Sequence, residues 1–209
     1  RQPMGGTVNW QSYYDHVLRA PYSSWLLLGL LNTVLVLLFS LILGIPLGIA
    51  VARMTRSQRQ FYPWLGATFI MIFRHLPLVP LLLLLSLGLP GLYKSITGIP
   101  LPRNLEFVFL ILSLGCNAAA HFADTLLAGW RMIPSEQEAA ARTLGLSAHQ
   151  IFSHVILPQL LRLTSPALVN RLIQTCKNAT VAIVLPLPLY QMELLGQAKR
   201  IEGQTFAIV

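Results

Sequence analysis

The side chains best equipped for chemistry in this chain sit inside apolar runs. Asn117, His121 and Asp124 lie in the run Leu105–Trp130 at i, i+4 and i+7, which puts all three on one face of a helix. Arg74 stands in the run Phe61–Leu89, and Arg171, Lys177, Asn178 and Thr180 punctuate the run Leu163–Leu189. Such groups are costly in hydrocarbon and must face protein or water. Two uses are open: hydrogen bonding between helices, or the lining of a path for a polar solute. At this depth Arg74, Arg171 and Lys177 stand against Asp124 alone. A solute bearing a carboxylate would offset them; the alternative is that they snorkel or pair with another subunit. Bond chemistry has no support. The chain contains no G-x-x-x-x-G-K-[ST], no H-E-x-x-H, no G-x-S-x-G and no pair of carboxylates at catalytic spacing. Cys116 and Cys176 fall within apolar runs and read as small buried hydrophobes. No His/Cys spacing resembles a zinc site, so no metal is expected.

The elements that must position these groups are membrane helices. The chain of 209 residues is 55% hydrophobic and 11% charged, with a mean hydropathy of +0.63. A transmembrane helix needs about 20 mostly apolar residues. Trp25–Ala52 meets this with no charge; Phe61–Leu89 and Leu105–Trp130 meet it with few; Leu163–Leu189 is a fourth, more polar candidate. Phe206–Val209 resembles the start of a fifth, truncated span. The architecture expected is an all-α membrane protein: an extracytoplasmic segment over 1–24, then a transmembrane domain over 25–209. The net charge of +8 forms no basic stripe with interleaved aromatics, which argues against nucleic acid. It speaks of topology instead. Arg53, Arg56 and Arg59 follow the first span and place that loop in the cytoplasm, leaving the N-terminus outside. The Gly- and Pro-rich stretch 91–104 is then an outer loop. Local signals mark the helices: Gly44 and Gly48 allow close approach, Pro46 predicts a kink, and Pro77 with Pro80 predicts a break in the second span.

One polar island interrupts this pattern, PSEQEAAARTLGLSAHQIFSHVILP at 134–158. It reads as two short helices held in water. Ser135 with Glu138 and Ser147 with Gln150 both fit a capping box, and Gly145 offers a left-handed stop. The order Ile133-Pro134, Ala140-Ala141-Arg142, Leu144-Gly145-Leu146-Ser147 and Val155-Ile156-Leu157-Pro158 resembles the EAA loop of ABC importer permeases. Phe73-Arg74-His75-Leu76-Pro77-Leu78, Gly88-Leu89-Pro90 and Lys177-Asn178-Ala179-Thr180-Val181 are similar to segments of the polar amino-acid permeases, with the glutamate/aspartate subgroup nearest. The chain departs from that pattern in three places. The motif's Glu falls on Ala139, with Glu138 one place early. Leu127-Ala128-Gly129 replaces Arg-Gly-Gly, and Leu185-Pro186-Leu187-Pro188 replaces Ile-Gly-Val.

The resemblance implies a type I importer permease fold in a bacterial inner membrane. It implies a second permease subunit, identical or paralogous, two ATPase subunits that carry ATP and Mg, and an extracytoplasmic substrate-binding protein. No cofactor is implied in this chain. Glu138, Ala139, Ala140, Ala141, Arg142, Gly145 and Leu146 would form the ATPase-coupling helix. Arg74, Asn117, His121, Asp124, Arg171, Lys177, Asn178 and Thr180 would line the substrate path. The implied activity is inward transport of a polar amino acid, with glutamate or aspartate as the finer expectation, by alternating access. An importer of another small polar solute is the alternative. A secondary transporter would need internal repeats and more intramembrane carboxylates than Asp124.

Overall fold

The computed structural model describes residues 22–102, 105–181, 192 and 194–206, and every regular element among them is helical. Helix α1 (Tyr22–Thr55) runs unbroken through Pro46. After the arginine loop, α2 (Phe61–His75) follows. Next comes α3 (Leu78–Thr97), an apolar run with a wide π-helical turn at Leu84–Gly88. Helix α4 spans Leu105–Trp130, and α5 is the short helix Ser135–Thr143. A one-turn piece at Ala148–Gln150 and a π-helical stretch at Ile151–Ile156 lead into α6 (Leu157–Ala179). Helix α7 covers Leu194–Phe206.

The bundle is organised around α1 and α4. Ser40 donates to the carbonyl of Ile111, Gly44 faces Gly115 and Ala118, and Gly48 faces Ala119 and Phe122. Residue numbers rise together along the contact, so the two helices run parallel. A Cβ on Gly48 would lie 2.8 Å from Phe122 Cβ, and one on Gly44 would lie 3.0 Å from Ala118 Cβ. The paired glycines thus let the backbones meet, as their spacing predicts. Parallel partners also fix the count of crossings: the chain between them must return once. It does so through α2 and α3 together. Gly66 of α2 abuts Thr55 and Val51 at one end of the bundle, while Leu82 of α3 packs with Val36, Leu110 and Leu114 towards the other. Helix α6 turns back along α4, with Leu160 and Thr164 against Gly129. Helix α7 runs antiparallel to the start of α1. Leu194 N–H donates to Thr33 Oγ1 at 3.0 Å, and the Arg200 guanidinium lies 3.7 Å from the Trp25 ring centroid.

Several expectations change. The second apolar run is not one continuous helix over Phe61–Leu89. It breaks at Leu76, which is extended (ψ 127°), because Pro77 cannot continue the helix and disfavours helical geometry in the residue before it. Helix then resumes and passes Gly88-Leu89-Pro90 to end at Thr97, where Gly98 takes the left-handed conformation (φ 74°). Pro90 is tolerated because it sits in the first turn after the π-helical stretch, so the first half of the outer loop expected over 91–104 is helix. Three helices, Tyr22–Thr55, Leu78–Thr97 and Phe107–Trp130, are long and apolar enough to cross a membrane. The fourth candidate is α6, which begins earlier than Leu163 and is too polar to qualify on composition. The segment 1–21, the Leu185–Pro188 substitution and residues 207–209 of the suggested fifth span lie outside the described residues.

Candidate functional site

Two groups of side chains stand out, one at the arginine-loop end of the bundle and one midway along it.

At the arginine-loop end, α5 is closed by a chain reversal built on Gly145. Its φ is 78°; its N–H donates to the Arg142 carbonyl, and Leu146 N–H donates to that of Ala141. This is a Schellman closure, and glycine supplies the left-handed residue without a Cβ penalty. The turn carries the inner face of α5 onto the core. Ala141 is buried among Trp130, Ile133, Ile151, Phe152 and Ile156, with Leu146 packed against the same cluster. Ala139 and Ala140 point outward, and Leu144 is 81% exposed.

Charges hold the helix from the side. Glu138 Oε1 accepts from Arg142 Nη2 at 2.9 Å one turn away, and Glu138 Oε2 is 3.9 Å from Arg56 Nη2. The arginine loop adds two stacked cations. Arg53 lies over the Phe152 ring at 5.0 Å and meets His149 Nδ1 at 3.1 Å; Arg56 lies over the Trp130 ring at 5.3 Å. The Ser147–Gln150 capping box forms with both bonds. The Ser135–Glu138 box does not: Pro134 occupies the cap position, and the Glu138 carboxylate is drawn to Arg142 and Arg56 instead.

Midway, the break in α2–α3 explains the polar face of α4. Phe73 stands four residues before Pro77, so its carbonyl has no N–H to accept from within the helix. Asn117 Nδ2 donates to it at 2.8 Å, and Asn117 is buried. One residue on, Arg74 Nη1 meets Asp124 Oδ1 at 3.1 Å, each side chain about a third exposed (37% and 33%). His121 lies between them, its Nδ1 buried without a hydrogen-bond partner. Arg74 and Arg171 both lie within electrostatic reach of this ring. Four of the expected path residues, Arg74, Asn117, His121 and Asp124, therefore meet, with Arg171 nearby. Arg171 itself donates to Gln174 Oε1. Lys177, Asn178 and Thr180 lie farther along at the end of α6, where Thr180 Oγ1 donates to the Lys177 carbonyl. No contact joins these three to the cluster among the described residues.

A family model described as "Binding-protein-dependent transport system inner membrane component" matches residues 44–192. The chain belongs to this family. It groups with the permease subunits of polar amino-acid ABC importers, and identities of about 28% leave the subgroup unresolved. The arginine transport system permease protein ArgU of Corynebacterium glutamicum is 29% identical over 94% of this chain, which spans 62% of ArgU's length. The glutamate/aspartate import permease protein GltK of Escherichia coli is 28% identical over 83% of this chain and 78% of its own. The crystal structure of an amino acid ABC transporter with histidines matches 96% of this chain and 86% of its own at 25% identity, with a TM-score of 0.74. A permease subunit of this kind is a multi-pass inner-membrane protein without catalysis of its own; the ATPase is a separate chain.

The permease's sequence hid two features. Arg53 and Arg56 read as topology markers, yet they clamp the EAA loop; their ring partners, Trp130 just before the polar island and Phe152 within it, carried the signal. The Phe73 carbonyl was hidden because backbone groups have no letter. The four-residue spacing from Phe73 to Pro77 betrays it.

Proposed function

We propose that this chain, paired with a second permease subunit, forms the membrane passage of an ATP-driven importer for a polar amino acid. Helix α5 is the point at which a separate ATPase subunit drives it. The observation that carries this reading is the mounting of α5. Ala141 and Leu146 fix it to the core, and Arg56 and Arg142 grip Glu138 from the side. Ala140 and Leu144, four residues apart, are left on an exposed face. A short helix so mounted transmits a push instead of absorbing it, because a well-packed interface moves as a unit. ATP and Mg bind in the ATPase. A binding protein delivers the solute on the side opposite α5; the arginine cluster supports a cytoplasmic α5 side and an N-terminus outside.

The cluster of Arg74, His121 and Asp124 belongs to the solute path in this reading. The unpartnered His121 nitrogen and the part-exposed ion pair supply groups that a zwitterion can engage. The finer assignment is glutamate or aspartate. Arg74 is already matched by Asp124. Arg171 and Lys177 have no carboxylate partner among the described residues, and a substrate carboxylate would complete them.

The test is ATPase activity of the full complex in lipid, with binding protein loaded in turn with glutamate, aspartate, glutamine, arginine or histidine. Stimulation by glutamate or aspartate is expected. Stimulation by arginine or histidine alone would remove the acidic assignment. An associated ATPase indifferent to every amino acid would remove the substrate class. No associated ATPase would remove the coupling role of α5.

A further inference from the structure

A cavity of about 720 Å³ opens between the end of α1, the start of α2 and the α5 turn. Its upper rim carries Arg53, Arg56, Arg59 and Arg142, with Glu138 as the one carboxylate of the lining. Two of these cations are matched in part: Arg142 by Glu138 and, at longer range, Arg56 by the same carboxylate. The guanidinium of Arg59 has no partner among the described residues, and Ser57, Gln58 and Tyr62 add hydrogen-bonding groups beside it. Four guanidinium groups facing one carboxylate make an anion site.

The lower wall has a different character. Pro46, Ile49, Ala50 and Met54 line it. Positions 46, 49, 50 and 53 fall on one face of α1 and descend from Arg53 into the span. At about 1.5 Å per residue, Pro46 lies roughly 10 Å below the guanidinium level. The height of that level is marked independently. Phe61, Tyr62 and Trp64 at the mouth of α2 are 64%, 39% and 63% exposed, and exposed aromatics beside an apolar span belong at the headgroup zone. An apolar groove running down the span beneath a guanidinium rim at headgroup height has the layout of a phospholipid.

We propose that this cavity binds one anionic phospholipid of the leaflet on the α5 side. Arg59, Arg56 and Arg142 hold its phosphate, and an acyl chain lies along Pro46, Ile49 and Ala50. A water-borne phosphate would have no use for the apolar wall, and a soluble subunit would not reach Pro46. Basic pockets between membrane helices take such headgroups by the same physics. Because Arg56 and Arg142 also hold Glu138, the lipid phosphate competes with that carboxylate for the same donors. The site thereby ties the seating of α5 to the charge of the surrounding leaflet. The binding site rests on the cavity and not on the amino acid carried.

The experiment is native mass spectrometry of the intact importer complex, released from micelles holding equal amounts of phosphatidylglycerol, phosphatidylethanolamine and phosphatidylcholine. One phosphatidylglycerol should be retained in preference to the others. Arg59→Gln removes a side chain with no other partner among the described residues and should lower that retention about fivefold. Ala50→Phe, which fills the groove, should lower it while the complex melts at an unchanged temperature; should that variant fail to fold, Arg59→Gln stands as the test. Millimolar inorganic phosphate should not displace the lipid. Equal retention of the three lipids, or indifference to Arg59→Gln, would overturn the site. Displacement by phosphate would make it a site for a water-borne anion. Retention by the isolated chain but not by the complex would give the surface to the ATPase. The readout is bound lipid, so it succeeds or fails independently of substrate stimulation.

Discussion

Asn117, Arg74 and Asp124 decide what the polar face of α4 is for. Asn117 compensates a carbonyl that Pro77 leaves open. Replacing it by leucine strands that carbonyl, at a cost of about 1–3 kcal/mol. A lower melting temperature of the purified complex, with substrate specificity unchanged, is the expected result. A shift in specificity at unchanged stability would return Asn117 to the solute path. Arg74 and Asp124 form a pair in which each makes the other tolerable. Arg74→Gln and Asp124→Asn should each destabilise by about 1–3 kcal/mol, less any screening through their exposed third. The double variant should recover most of the loss, and a thermal-unfolding double-mutant cycle measures the coupling. Arg171 has no carboxylate partner among the described residues. Arg171→Ala should reduce uptake of acidic amino acids more than of neutral ones, whereas equal loss in both would make it structural.

For the elements, the decisive joints are the Gly145 turn and the α1–α4 seam. Proline at 145 cannot adopt φ 78° and cannot donate to the Arg142 carbonyl. Gly145→Pro should therefore leave the spans assembled but detach α5 from its seat, so that ATP is hydrolysed without transport; normal transport per ATP would remove the coupling role. The Gly145 stop was legible in the sequence because a left-handed closure calls for one residue type at one step past the helix. The Ser135–Glu138 box was equally legible and did not form, since a carboxylate prefers two guanidinium groups to one backbone N–H. Along the seam, Gly48→Leu would force a side chain into space where Phe122 Cβ already lies 2.8 Å from an ideal Cβ. An overpacking cost of about 1–3 kcal/mol is expected from thermal unfolding.

In the whole molecule, the parallel run of α1 and α4 sets the sidedness. Residues of the arginine loop and of α5 share one end, and the close of α3 lies at the other. In a background lacking Cys116 and Cys176, single cysteines at Gln58 and Gln137 should be labelled by an impermeant maleimide only from the cytoplasmic face, and one at Tyr93 only from outside. Labelling of Gln58 and Gln137 from opposite faces would break the parallel pairing; both from outside would invert the protein.

The sequence by itself determined the class of the molecule, the break at Pro77, the Gly145 turn and the glycine seam. Each is a local rule: hydropathy over a helix length, a missing N–H, a left-handed residue, a missing Cβ. It also named the polar residues that need shelter, because charge in hydrocarbon is expensive wherever it falls. Only the tertiary structure decided which shelter each one has. Asn117 turned to a backbone carbonyl, Asp124 to Arg74, Glu138 to Arg56 across a loop, and α3 continued to Thr97 because its π-helical turn accommodates Pro90. Those choices depend on which helices lie side by side, and a string of residue types does not record distance between segments far apart in the chain.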